Sequence, residues 1–173
     1  CLVGSEMCIR DRLIGYTLFF PQLIAGPILR PAQLLPQIAR AAVKKSSVIG
    51  LGLFIFTVGL VKKVIFADGI SPYVNAVFND PFGHGLIEYW IAILGFTLQI
   101  YCDFSGYTDM AIGSAMMLGV RLPLNFERPY LAISLRDFWL RWHITLSRWL
   151  RDYLYIPLGG NRTSKPKHLL NIF

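Results

Sequence analysis

One histidine, His143, stands among arginines and tryptophans in the stretch RDFWLRWHITLSRWLRDYLYIPLGGNR, residues 136–162. Histidine titrates closest to neutral pH and is the side chain most often used to take a proton from a reacting group. Arg136, Arg141, Arg148 and Arg151 carry permanent charge and can draw in phosphates or carboxylates. Both residue types also have plainer uses. A lone histidine at the shoulder of an apolar face packs or makes a hydrogen bond, and arginines beside apolar spans mark the cytoplasmic side of a membrane. Spacing alone leaves these readings open.

A second polar group lies in DFSGYTD, residues 103–109, inside an apolar run. It holds Asp103, Ser105, Tyr107 and Asp109. A carboxylate in such a setting is costly and faces a cavity or a partner. The two aspartates are six positions apart, so an unbroken helix turns them about 120° from each other. They are not an obvious catalytic pair, and either can be a hydrogen-bonded structural acid.

The elements that position these residues have a membrane protein's composition. Of 173 residues 54% are hydrophobic and 16% charged, where a soluble domain carries about 25% charged residues. Net charge is +7. From Arg121 onward nine Lys/Arg face three acids, while the first 120 residues hold eight against seven. A basic block beside apolar spans points to a cytoplasmic face rather than to nucleic-acid binding. Cys1, Cys8 and Cys102 have no metal-ligand spacing and imply no disulfide framework.

The first twelve residues, CLVGSEMCIRDR, fit nothing that follows and resemble a translated adapter, so 1–12 is set apart from 13–173. Leu13 to Leu29 is uncharged but carries Pro21 and Pro27, which predicts a broken or re-entrant segment. Residues 30–47 are basic. Ser46 to Val61 is an apolar span that reaches bilayer length if it extends to Ala67 with Lys62 and Lys63 snorkelling. The alternative is that one of these lysines points into a polar cavity. Residues 68–88, acidic and free of Lys and Arg, read as an outside loop containing His84. Tyr89 to Val120 would be about 48 Å of helix, and a polar break near 103–109 is expected to divide it. Ser134 and Asp137 suggest a capping box. Pro157 with Gly159 and Gly160 marks a stop, so one helix is expected over about 135–155.

At 100° per residue, Leu135, Phe138, Trp139, Trp142, Leu146, Trp149, Leu150 and Tyr153 share one face of that helix. Asp137, Arg141, Arg148 and Asp152 form a polar stripe with two i,i+4 ion pairs. That is the pattern of a helix lying in the membrane interface. The fold class expected is all-α: a multi-pass membrane protein with broken or re-entrant helices and an interfacial amphipathic helix.

The motifs YCDFSGYTDMAIG (101–113), NFERPY (125–130), FWLRWHITLSRWLRDYLYIPLGGNR and FFPQLIAGPILRP (19–31) together resemble the membrane-bound O-acyltransferase family, in its alginate O-acetyltransferase-like branch. The resemblance covers nearly all of 13–173. It implies a bacterial inner-membrane enzyme that moves an acyl group from a cytoplasmic donor to a hydroxyl of an extracytoplasmic polysaccharide or cell-envelope polymer. The donor expected is acetyl-CoA or an acyl carrier, with no bound cofactor and no metal. Membrane lipid, the polymer acceptor and periplasmic acetyl-transfer proteins are the expected partners, and nucleic acid is not. The resemblance makes His143 a catalytic candidate. It makes Asp103, Ser105, Tyr107 and Asp109 tunnel candidates, and Arg136, Arg141, Arg148 and Arg151 donor-binding candidates. The family's main catalytic histidine, in a Trp-His-Gly-like context, has no match here, and the resemblance leaves His143 to position the thioester or assist that histidine. His168 does not fit it, and 13–173 is expected to be a partial domain that is inactive alone. A transporter or channel fragment is the alternative, since broken spans with buried carboxylates also mark transporters. A non-enzymatic scaffold is a third.

Overall fold

The computed structural model describes residues 6–23, 26–40, 46–80 and 82–160, and every regular element among them is helical. Lys44, Lys45, His168 and the apolar start at 169–173 lie outside the described residues. The chain divides into two units, 1–122 and 123–173.

In the first unit, α1 (Glu6–Thr17) begins within the twelve residues set apart above. The uncharged run that follows is broken, as its prolines predict. Helix α1 ends at Thr17, α2 (Phe20–Leu23) is a single turn, and the chain is extended at Arg30. Pro31 then opens α3 (Pro31–Ala39), the position where its missing N–H matters least. The Tyr16 hydroxyl donates to the Leu29 carbonyl at 2.8 Å and ties the ends of the broken segment together. Phe19, Leu29 and Leu34 are buried with Ala115 and Val120 in one apolar cluster.

Helix α4 (Ser46–Val61) passes through a π-helical turn, Lys62–Ala67, into α5 (Asp68–Asn79). Val48–Asn79 is long and apolar enough to cross a membrane by length and composition, and only 11% of its most apolar 18 residues are buried. The core helix of a soluble protein would bury most of them; here Phe54 and Ile65 face outward. The loop expected over 68–88 is therefore much shorter, since α5 is helical to Asn79 and α6 begins at Leu86. Asp68 continues the helix, with Lys63 Nζ 2.7 Å from its Oδ1.

Helix α6 (Leu86–Met117) runs unbroken for 32 residues. The break expected near 103–109 does not occur, and the reason is in its partner. Asp103 and Asp109 are each met by a lysine of the facing helix. The glycines serve close approach rather than a kink. A Cβ on Gly106 would lie 2.7 Å from the Gly59 carbonyl oxygen, and one on Gly59 would lie 2.6 Å from that of Gly106. Gly52 and Gly113 meet in the same way one heptad along. These pairings make α4 and α6 antiparallel and set small residues at their seam, as at membrane helix interfaces. Beyond α6, Gln37 brackets the Arg121 backbone: its Oε1 accepts from the Arg121 N–H at 2.9 Å and its Nε2 donates to the Arg121 carbonyl at 3.3 Å.

The second unit begins with an irregular segment and a 3-10 turn, Pro129–Leu131. The expected helix over 135–155 starts where Ser134 predicts. Ser134 Oγ accepts from the Asp137 N–H at 3.1 Å, and Asp137 Oδ2 reaches back to the Ile133 N–H at 3.2 Å. It is not one helix. Helix α7 (Leu135–Arg141) stops, the chain reverses its backbone twist at His143, and α8 (Ile144–Leu150) starts afresh. A π-helical turn, Arg151–Tyr155, follows, and positive-φ glycines at 159 and 160 end the run where Pro157 and the glycine pair predict.

Candidate active site

His143 is the joint between α7 and α8. Its φ is 44° and its ψ 53°, a left-handed backbone. Non-glycine residues rarely hold such angles, and they persist only where their surroundings fix them. The surroundings come from the segment NFER, residues 125–128. The Glu127 N–H donates to the Arg141 carbonyl at 2.9 Å, which satisfies an acceptor at the end of α7. The Asn125 carbonyl accepts from the Ile144 N–H at 3.0 Å, and Asn125 Oδ1 accepts from the Thr145 N–H at 3.1 Å and the Thr145 hydroxyl at 2.9 Å. These bonds replace those that an uninterrupted helix would have made within itself. Arg128, with φ 47°, is the second strained position on the same segment.

Aromatic rings close the joint. Phe126 meets Trp142 edge-on at 5.0 Å between centroids and His143 edge-on at 6.5 Å. Phe138 stacks on Trp142 at 5.6 Å, and Tyr130 stacks on Phe138. The imidazole is half-buried, and loss of water around it pushes its pKa below the ordinary histidine value. Desolvation favours its neutral, proton-accepting form.

The break also redistributes the residues expected on one helix. Phe138 and Trp142 are half-buried, but Leu135, Trp139, Leu146, Trp149, Leu150 and Tyr153 are exposed, and the buried pair of α8 is Ile144 and Thr145. The apolar residues expected on one continuous helix are divided between α7, α8 and the π-helical turn. Of the expected ion pairs, Asp137–Arg141 forms at 2.8 Å, and the guanidinium holds that carboxyl below the usual range. Asp152 instead pairs with its neighbour Arg151 at 2.8 Å, because the π-helical turn shifts its register from Arg148. Arg136 and Arg148 are exposed.

The tunnel candidates lie in the first unit, on α6, and two of them, Asp103 and Tyr107, meet at Lys63. Asp109 Oδ2 is 2.6 Å from Lys62 Nζ, and Asp103 Oδ1 is 2.6 Å from Lys63 Nζ. The six-residue gap that separates the acids is matched by two adjacent lysines. Both stand on the π-helical turn, where an altered register is a frequent mark of function. Lys62 and Lys63 are thus ion-paired near the middle of Val48–Asn79, not extended to an interface. Lys63 Nζ also lies 5.6 Å from the Tyr107 ring centroid. Ser105 is buried. Tyr107 lines a cavity of about 190 Å³ with Phe20, Met110 and Ser114. Among the described residues, no three His, Cys, Asp or Glu gather as metal ligands do.

Sequence reasoning did not single out Asn125, Thr145 or the glycine seam as working parts. NFERPY was conspicuous only as a motif. Its task is to bond to backbone some twenty residues away, which no local pattern reveals.

Residues 12–173 match the sequence model of MBOAT, the membrane-bound O-acyltransferase family, and the chain belongs to that family. Among its relatives, the peptidoglycan O-acetyltransferase of Helicobacter pylori is 48% identical over 149 residues, 85% of this chain and 28% of that protein. The "Probable alginate O-acetylase AlgI" of Pseudomonas aeruginosa is 44% identical over 162 residues, 92% of this chain and 30% of that protein. The teichoic acid D-alanyltransferase of Bacillus subtilis is 31% identical over 147 residues, 84% of this chain and 37% of that protein. The chain therefore spans about a third of the length of these relatives.

Proposed function

We propose that the whole protein is an O-acetyltransferase of the cell envelope that uses His143 in transfer of an acetyl group from a thioester to a polymer hydroxyl. The observation that carries this reading is the strained, half-buried His143 at a helix joint built around it. Backbone strain of this kind costs about 1–3 kcal/mol and collects at functional sites. Family membership supplies the reaction class. The two relatives of higher identity are named for O-acetylation and the more distant one for D-alanylation, so acetyl is the group favoured.

A neutral imidazole can take the proton of an acceptor hydroxyl as its oxygen attacks the thioester carbonyl, and the thiol departs with a proton. The donor is acetyl-CoA or an acyl carrier. Its phosphates would meet Arg136 and Arg148, since Asp137 and Asp152 already offset Arg141 and Arg151. Asp103, Ser105, Tyr107 and Asp109 would contribute to the path, with Tyr107 placed on a cavity. The arrangement is a multi-pass inner-membrane protein. Residues 48–79 and 86–117 would cross as a hairpin, and the segment around His143 would lie at the cytoplasmic interface. Periplasmic acetyl-transfer proteins would assist delivery of the group to the polymer. No observation favours transport.

The test is acetyl transfer by the whole protein carrying His143→Ala, with folding checked by thermal melting. Transfer is expected to fall by a factor of about 100 or more, the scale of a lost general base. Wild-type transfer would overturn the assignment.

A further inference from the structure

We infer that Asn125 is a positioning residue for His143, acting as a remote cap that fixes the α7–α8 joint on which the imidazole is mounted. This rests on the catalytic reading of His143, which it deepens.

An ordinary helix is capped by the residue at its own N-terminal boundary, whose side chain accepts from N–H groups in the first turn. His143 occupies that boundary in α8, and its imidazole makes no such bond. The work is done from eighteen residues upstream. Asn125 is fully buried, and its backbone and side-chain oxygens take the first two N–H groups of α8 together with the Thr145 hydroxyl. Glu127, two residues on, takes up the last turn of α7 through the Arg141 carbonyl. Phe126 lies between them in sequence and sets its ring edge-on to both Trp142 and His143. Three consecutive residues thus hold the end of one helix, the start of the next and the ring between them. Without the Asn125 side chain, the Thr145 N–H and hydroxyl lose a buried acceptor. The left-handed angle at His143 then has less to sustain it.

A merely structural asparagine would alter stability and leave the chemistry of His143 alone. The experiment therefore reads His143 in two ways in the whole protein, purified in detergent. One is steady-state acetyl transfer. The other is the rate at which diethyl pyrocarbonate modifies His143, followed by peptide mass spectrometry, which needs no activity. For Asn125→Ala the inference expects kcat to fall on the order of 100-fold with KM nearly unchanged, as for a misplaced catalytic group. His143 should be modified about tenfold faster, as the loss of a buried hydrogen bond opens the joint. Asn125→Asp keeps the accepting oxygen and should restore both readouts towards wild type. If Asn125→Ala does not fold, Thr145→Val removes one donor at nearly constant volume and should shift both readouts in the same direction by less.

Unchanged kcat and unchanged His143 reactivity in the folded variant would overturn the inference, as would failure of Asn125→Asp to restore either. The two readings fail separately. Wild-type transfer by His143→Ala removes the catalytic role, whereas the modification rate still reports whether Asn125 controls His143.

Discussion

His143 combines two unfavourable properties: a left-handed backbone and a half-buried ring. The second has a pH signature. Burial lowers the imidazole pKa in the folded state, whereas the unfolded chain titrates near the ordinary value of about 6.5. As pH falls below that value, the unfolded state takes up the proton first. Folding stability must then drop, and it stops dropping once the folded state also protonates. Thermal melting of the whole protein between about pH 5 and 7.5 should therefore show wild type losing more stability on acidification than His143→Gln, which removes this titration. Equal pH slopes would mean that the ring is solvated. The sequence showed this residue and its chemical type. It did not show the strain, because the 100° periodicity presumes a regular helix, and at His143 the helix stops.

At the scale of elements, the seam between α4 and α6 holds two kinds of interaction: glycine against glycine and lysine against aspartate. The apolar length of α4 was legible in residues 46–67, and so was the cost of Asp103 and Asp109. Their solution was not, because Lys62 and Lys63 read first as interfacial anchors until α6 is laid beside them. That pairing makes a prediction. Asp109→Leu alone leaves Lys62 charged among apolar groups, and a lone charge at the centre of a span costs about 2.5–3.5 kcal/mol. Asp109→Leu with Lys62→Met should recover most of the melting temperature lost. If the double variant is as unstable as the single, the pair is not what supports the helix there. The α7–α8 joint shows the same limit of local reading. Ser134 and Gly159 placed the ends of the run correctly, but the interruption between them is imposed by Asn125 and Glu127 from outside.

For the whole molecule, the all-helical class followed from long uncharged runs and the family from motifs spread over nearly the whole of 13–173. The loop expected over 68–88 is shortened to the turn before α6. Two antiparallel helices bring the chain back to Gln37, which binds the Arg121 backbone. In right-side-out vesicles, a cysteine replacing Phe82, at 98% exposure in that turn, should react with a membrane-impermeant maleimide, and one replacing Thr163 should not. The reverse pattern would invert the topology. The central claim is that the fold strains its backbone at residue 143 in order to present an imidazole. His143→Gly tests this most directly, because glycine accepts a left-handed backbone without penalty and has no ring. The measurement is acetyl transfer by the whole protein carrying this substitution, with melting temperature recorded on the same preparation. If the claim holds, the protein is at least as stable as His143→Ala and its transfer rate is reduced by a factor of about 100 or more. A His143→Gly protein that transfers acetyl groups at the wild-type rate would contradict it.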